Sequence, residues 1–144
     1  IGGGAKRILG IAGKHADIVS INFNNSAGKI GPEGVGSGTS AGTLQKLEWI
    51  KAGAGDRFSE IEIEIAAYFT VITEHSDVVA NEFAKLFNLS SSEILDHPHC
   101  LIGQTSEVIE KIQQRREEFG INYITFGGAA IDDVAPIVEA LSGT

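Results

Sequence analysis

The sequence predicts an α/β fold, the C-terminal part of a (β/α)8 TIM barrel, with parallel strands and crossover helices. Three observations carry this. Segments with strand patterning alternate with segments whose apolar residues recur at helical spacing, the order of right-handed βαβ crossovers. Two of the strand segments hold stretches apolar on both sides, as strands covered by helices are. The 144 residues suffice for one domain with a core, but a complete eight-stranded barrel needs about 250.

The chain opens on Ile1-Gly2-Gly3-Gly4, and residues 5 to 14 follow with Ile8, Leu9, Ile11 and Ala12 at helical spacing. Residues 16 to 23 (ADIVSINF) read as a strand. From Asn24 the composition turns to Gly, Ser and Asn, with Pro32, so residues 25–42 read as a Gly-rich loop insertion. That is longer than most connections in a compact domain, as a lid or binding segment would be. A helix over 43–54 places Leu44, Leu47 and Ile50 on one side, and Gly53 and Gly55 mark its end.

Residues 61–73 read as one long strand. Glu60, Glu62 and Glu64 alternate with Ile61, Ile63 and Ile65, one side meeting water, and residues 66–72 are almost wholly apolar. A helix over about 76–87 turns Val79, Phe83, Leu86 and Phe87 inward. Ser90 and Glu93 have the spacing of a capping box, opening a short helix that stops before Pro98. Residues 105–119 give the clearest amphipathic helix, with Val108, Ile109, Ile112 and Phe119 as its stripe and Gly120 as its stop. Residues 121–126 (INYITF) are a strand, Gly127-Gly128 a turn, and the last helix carries Ile131, Ala135, Val138 and Leu141. Three such strands alone leave two exposed sheet edges. An open flavodoxin-like sheet fits the same signals with different strand partners.

Composition narrows the function classes. A formal charge of -8, from 11 Lys and Arg against 19 Asp and Glu, leaves no basic face for nucleic acid. No apolar run is long enough for a membrane span and no signal-peptide pattern opens the chain. The one cysteine, Cys100, makes no intrachain disulfide, and a cytoplasmic location is the default. The absence of Met and the opening on glycines suggest a fragment whose earlier part lies outside this chain.

Gly2, Gly3 and Gly4 before a helix are the most suggestive chemical feature. Such a turn lets backbone N–H groups converge at a helix start, making a phosphate site to which Lys6 and Arg7 add charge. A tight turn that merely starts the helix reads equally from the residues. Gly127-Gly128 holds the corresponding place after the last strand, as ligand contact or as turn. Asn22, Asn24 and Asn25 lie at the exit end of a strand, where barrels keep binding groups, or bond the loop start. Tyr68 and Thr70 share a face, pointing into a pocket or the core. His97, His99 and Cys100 are zinc-ligand types, but without a second cluster they read as a loop or turn with Cys100 buried. His15, at a helix-to-strand junction, reads as a helix C-terminal cap.

Residues 1–9 (IGGGAKRIL), Ala12 and residues 14–19 (KHADIV) resemble a segment of luciferase-like monooxygenases, within them the deazaflavin (coenzyme F420)-dependent oxidoreductases. Residues 46–50 (KLEWI), 54–58 (AGDRF), 98–103 (PHCLIG) and 115–124 (RREEFGINYI) resemble that superfamily's approach to its last two strands. The resemblance implies the barrel's C-terminal half, with strands 1–4 and most of strand 5 absent. It implies a turn that binds the cofactor phosphate through Gly2, Gly3 and Gly4, and through Arg7. The cofactor it implies is coenzyme F420, with FMN as alternative, and the reaction is hydride transfer to or from a small organic substrate, or oxygen activation by reduced flavin. The acid–base residues of such enzymes fall in the absent strands, so no catalytic residue is assigned. A homodimer, or pairing with the N-terminal half, is the expected assembly. The competing expectation is a non-catalytic α/β module that binds a phosphorylated ligand or serves in assembly.

Overall fold

The computed structural model describes residues 1–26 and 28–143; Ala27, inside the predicted loop, and Thr144 lie outside the described residues. Its first unit is a strand–helix–strand crossover. Strand β1 (Gly2–Gly3) leads into α1 (Lys6–His15), which returns the chain to β2 (Ile18–Ile21), parallel to β1. Leu9 and Ala12 of α1 pack with Val19 and Ile21 of β2 in one buried cluster. Helix α3 (Ser40–Ala54) lies against α1 and adds Leu47 and Ile50. A 3₁₀ turn (Gly55–Glu60) then feeds β3 (Glu62–Ala67), which adds Ile63 and Ile65 to the same cluster. Leu9, Val19, Ile21, Ile50 and Ile65, all without exposure and each worth about 1.5–3 kcal/mol of transfer free energy, hold the helices on the sheet.

The predicted Gly-rich loop is partly structured. Pro32–Gly36 forms a short helix, α2, begun by Pro at its first turn, and α3 starts at Ser40 rather than at 43. Val35 is fully buried, and the Ser37 hydroxyl donates to Gly34 O (2.6 Å) while accepting from Asn24 N–H (2.8 Å). Local serine bonds of this kind substitute for the helix and sheet ladders that glycine-rich sequence disfavours.

The predicted long strand is two strands. It breaks at Tyr68, so β3 ends at Ala67 and β4 (Phe69–Ile72) belongs to a second sheet. The carbonyls at the break are satisfied by other groups: Tyr68 N–H and the His99 imidazole meet Ala66 O, while the Thr70 hydroxyl and Gly127 N–H meet Ala67 O. Helices α4 (Ser76–Phe87) and α5 (Ser91–Leu95) follow, α5 opened by the Ser90–Glu93 capping box that the sequence predicts. Residues 100–103, expected as a loop or turn, are instead β5 (Cys100–Gly103), parallel to β4 and buried along its whole length. Helix α6 (Thr105–Phe119), β6 (Ile121–Phe126) and α7 (Ile131–Leu141) complete the described chain.

The main sheet runs β1-β2-β3-β6, all parallel, with β1 and β6 at its edges. The helix stripes match their prediction in the middle of this layer and fail at its ends. Leu9, Leu47, Val108 and Phe119 are buried, but Ile8, Ile11, Leu44, Leu86 and Val138 are exposed, and Ile131 is 83% exposed. In α7 the buried residues are Val134 and Ile137, a stripe shifted from the expected one. Ile8 leans over Gly3 of edge strand β1. Val138 and Tyr123 line a cavity of about 350 Å³ beside edge strand β6. Among the described residues no helix is long and apolar enough to cross a membrane.

Candidate functional site

Side chains alternate across a strand, so the sheet face away from α1 and α3 carries the residues between the core positions. In register across it stand Gly2, Ser20, Glu64 and Tyr123. Ala66 and Thr125 form the next row toward the strands' C-terminal ends. This second face is polar and largely open to solvent: Tyr123 and Ile18 are 46% and 42% exposed. Glu62 is exposed as expected, whereas Glu64, expected on the wet side, is buried between its register neighbours Ser20 and Tyr123.

The glycine turn borders this face. Gly2 and Gly3 form β1, and Gly4 precedes the N-cap Ala5, which makes no side-chain cap bond. The first turn of α1 has no acid; it carries Lys6 and Arg7, both exposed. The orphan N–H groups of that turn thus have no carboxylate or hydroxyl cap, and the helix dipole adds positive potential there. A Cβ on Gly4 would strike the main-chain carbonyl of Phe23, so β1 can lie this close to the end of β2 only with glycine at that position.

Beside the turn the structure brings together two residues that the sequence singled out separately. Tyr68 Oη donates to Asn22 Oδ1 at 2.7 Å, and Asn22 Nδ2 reaches Ser20 Oγ at 3.4 Å. Asn22 is also held by its backbone, whose N–H donates to Gly3 O (2.9 Å) and whose carbonyl accepts from Lys46 Nζ (2.8 Å). Burial pulls the Lys46 ammonium down to about 8, and burial, then the Glu64 carboxylate, raises the Tyr68 phenol. Lys46 was missed from the sequence. Its signal was a lysine inside the buried stripe Thr43, Lys46, Leu47, Ile50 of α3.

Behind Tyr68 lies a buried imidazole pair. His97 Nε2 bonds Val35 O (3.0 Å) and its Nδ1 accepts from His99 N–H (3.2 Å), which fixes the neutral tautomer with the proton on Nε2. His99 Nδ1 bonds Ala66 O (2.8 Å), and its Nε2 has no partner. Desolvation drives both rings below the usual histidine range, His97 to about 4 and His99 to about 3. The His99 ring stacks on Tyr68 with centroids 5.5 Å apart, and Phe23 packs on both (4.4 and 4.9 Å). Arg115 Nη2 bonds His97 O and Cys100 O (2.9 and 2.7 Å), clamping the turn into β5, while burial pushes the Cys100 thiol up to about 12. These histidines brace α2 and the β3–β4 break.

Of the remaining candidates, Thr70 and His15 separate from the site, whereas Asn24 lies against Gly4. Asn24 N–H donates to the loop serine's hydroxyl oxygen, Thr70 is buried against Ala67 O, and His15 is exposed at the end of α1. Gly127 and Gly128 abut Ala67 and Tyr68 across the sheet.

No family model and no curated protein matches the sequence, but solved structures do. The chain is similar to the coenzyme F420-dependent tetrahydromethanopterin reductase from Methanopyrus kandleri, at 15% identity and TM-score 0.61, over 97% of this chain and 48% of that one. It is similar to an F420-dependent secondary alcohol dehydrogenase solved with an F420-acetone adduct, at 17% identity and TM-score 0.56, over 97% and 46%. It is also similar to the long-chain alkane monooxygenase LadA, at 16% identity and TM-score 0.57, over 96% and 38%. The chain therefore spans less than half the length of these structures. The likeness shows the fold: parallel strands and crossover helices resembling part of a TIM-barrel-like fold.

Proposed function

We propose that this chain is the C-terminal part of a (β/α)8-barrel oxidoreductase of the luciferase-like type, with strands 1–4 and most of strand 5 of the complete barrel outside it. Residues 1–144 form one partial domain, and 25–42 is its insertion on the substrate side. The observation that carries this reading is the glycine turn. It delivers an uncapped helix N-terminus, flanked by bases and free of acids, to the edge of an open polar sheet face. Likeness to two F420-dependent enzymes supports a deazaflavin ahead of FMN.

The residues fit the phosphate of such a cofactor. Gly2, Gly3 and Gly4 let the turn pack directly against Asn22, Ile8 and the Phe23 carbonyl, the α1 N–H groups supply donors, and Arg7 adds charge. When bound, coenzyme F420 supplies hydride transfer, to or from a small organic substrate. The chain's own part is to anchor and orient. The turn holds the phosphate, and Asn22 and Tyr68 present fixed polar atoms beside it. No acid–base residue is assigned to this chain. The parent acts in the cytoplasm on a small organic substrate, and its open sheet ends are covered by the N-terminal half or by a second copy.

Titration of the chain with F420 and with FMN, followed by visible absorbance and calorimetry, tests the reading. Binding that inorganic phosphate displaces, and that Gly4→Ala abolishes, is the expected result. Absence of binding by either cofactor, both to this chain and to the chain supplied with the N-terminal half, refutes it. Phosphate-competed binding of other phosphorylated ligands but not of these two favours the non-catalytic module.

A further inference from the structure

The Asn22–Tyr68 pair has unused hydrogen-bonding capacity of one particular pattern. Tyr68 gives its proton to Asn22 Oδ1, so the phenol oxygen keeps lone pairs to accept. Asn22 Nδ2 has two N–H groups, of which one reaches Ser20 Oγ, so one remains to donate. The two residues therefore offer an acceptor and a donor side by side, both half-buried on the open face.

The pair is also held rigid. Asn22 is fixed through its backbone to β1 and to Lys46, and its amide nitrogen lies 2.9 Å from where a Cβ on Gly2 would stand. Any larger residue than glycine at position 2 displaces that amide. The Tyr68 ring is wedged between Phe23 and the His99 imidazole. Small Ala66, two residues before Tyr68, stands in register beside Thr125. A donor and an acceptor fixed on strand ends form a preorganised recognition edge.

We propose that Asn22 and Tyr68 read the lactam edge of a planar heterocycle, an N–H next to a C=O. The Asn22 amide donates to the ligand carbonyl and the Tyr68 oxygen accepts from the ligand N–H. This rests on the barrel-oxidoreductase reading and adds to it the group recognised beside the phosphate turn. The pyrimidine ring of a flavin or deazaflavin and a pterin-type substrate share this edge, so the chemistry has two possible sources.

The test uses the 144-residue chain and three probes: FMN, FMN methylated at N3, and pterin. Calorimetry is run on the native chain, Tyr68→Phe and Asn22→Asp, with circular dichroism confirming that each is folded. One hydrogen bond lost to N3 methylation lowers affinity about tenfold. The expected result with the ring as source is tenfold discrimination between the two flavins in the native chain and none in Tyr68→Phe. With a pterin as source, both flavins bind alike, and pterin binding falls about tenfold in Tyr68→Phe and Asn22→Asp. Phosphate-competed FMN binding that ignores N3 methylation, together with pterin binding unchanged by both variants, overturns this inference and leaves the phosphate reading intact. Pterin binding that needs the pair, with neither FMN nor F420 bound by this chain or by the chain supplied with the N-terminal half in the cofactor titration, overturns the cofactor reading and keeps the pair. If no probe binds, this inference falls, and the cofactor reading falls with it only if F420 and FMN also fail to bind the chain supplied with the N-terminal half.

Discussion

Acidification should unfold this protein through two histidines that the fold keeps neutral. In the unfolded chain His97 and His99 take up protons near the ordinary imidazole value. In the folded chain burial holds them to about 4 and about 3. Between those values and about 6.5 the unfolded state binds more protons than the folded one, so stability is complete above about 6.5 and falls as pH falls. At pH 5 each histidine costs roughly 2 kcal/mol, so the pair costs about 4 kcal/mol, at 1.36 kcal/mol per pH unit. That is a large part of the 5–15 kcal/mol typical of a domain.

The geometry says where the loss begins. A proton on His97 Nδ1 would face the His99 N–H it now accepts from, and the bond to Val35 O that fixes α2 would loosen with it. Urea unfolding followed by circular dichroism at pH 7.5, 6.5, 5.5 and 5 reads the slope. A double variant isolates the cause: His97→Gln retains a donor for Val35 O, and His99→Asn retains one for Ala66 O, but neither takes a proton. The native chain should lose about 4 kcal/mol between pH 7.5 and 5, and the double variant little of that. A native profile flat over this range, or one equally steep in the double variant, refutes the reasoning.

Three further outcomes follow from single residues. Gly4→Ala forces a Cβ into the Phe23 carbonyl and should cost about 1–3 kcal/mol in urea unfolding, as overpacking does. Arg115→Met removes the guanidinium bonds to two buried carbonyls, Cys100 O and His97 O, the latter keeping Cys100 N–H, and should cost about 1–3 kcal/mol, read as a lowered thermal midpoint. Cys100, fully buried with its thiol pushed up to about 12, should resist a thiol reagent such as dithionitrobenzoate in the folded state and react at once in urea; fast reaction of the folded chain would contradict its burial.

What the sequence revealed and what it hid divide along range of interaction. The helices over 105–119 and 91–95 and the strand over 121–126 are specified by residues within a turn or two of each other, the Ser90–Glu93 box being the plainest case. Strand β5 is four residues between Pro98 and Gly103, too short for any period to show, and exists because β4 lies beside it. The break at Tyr68 was equally invisible: it depends on the His99 imidazole meeting Ala66 O from 33 residues away. The same holds at the site. Asn22 and Tyr68 were each legible as candidates from strand position, but their pairing spans 46 residues and needed β2 and β3 in register.

The apolar stripes that stayed exposed bear on what covers the sheet ends. Four parallel strands are half of eight, so two copies could in principle close a barrel by pairing the β6 edge of each with the β1 edge of the other. The open face argues against that. It carries Glu62 and Glu64, and among the described residues neither has an ion-pair partner. Self-closure would gather two copies of each into one interior, where carboxylates roughly 8 Å apart repel by about 2 kcal/mol per facing pair at an effective dielectric of 20. A complementary half with inward cations or donors meets no such cost. Sedimentation of the native chain and of the Glu62→Gln/Glu64→Gln double variant at neutral pH decides it. The variant should self-associate at least about tenfold more tightly, since one such repulsion exceeds 1.4 kcal/mol. Equal association of the two would mean that the carboxylates do not face each other, and a tight native dimer that the substitutions leave unchanged would mean in addition that the second copy covers the ends in some other way.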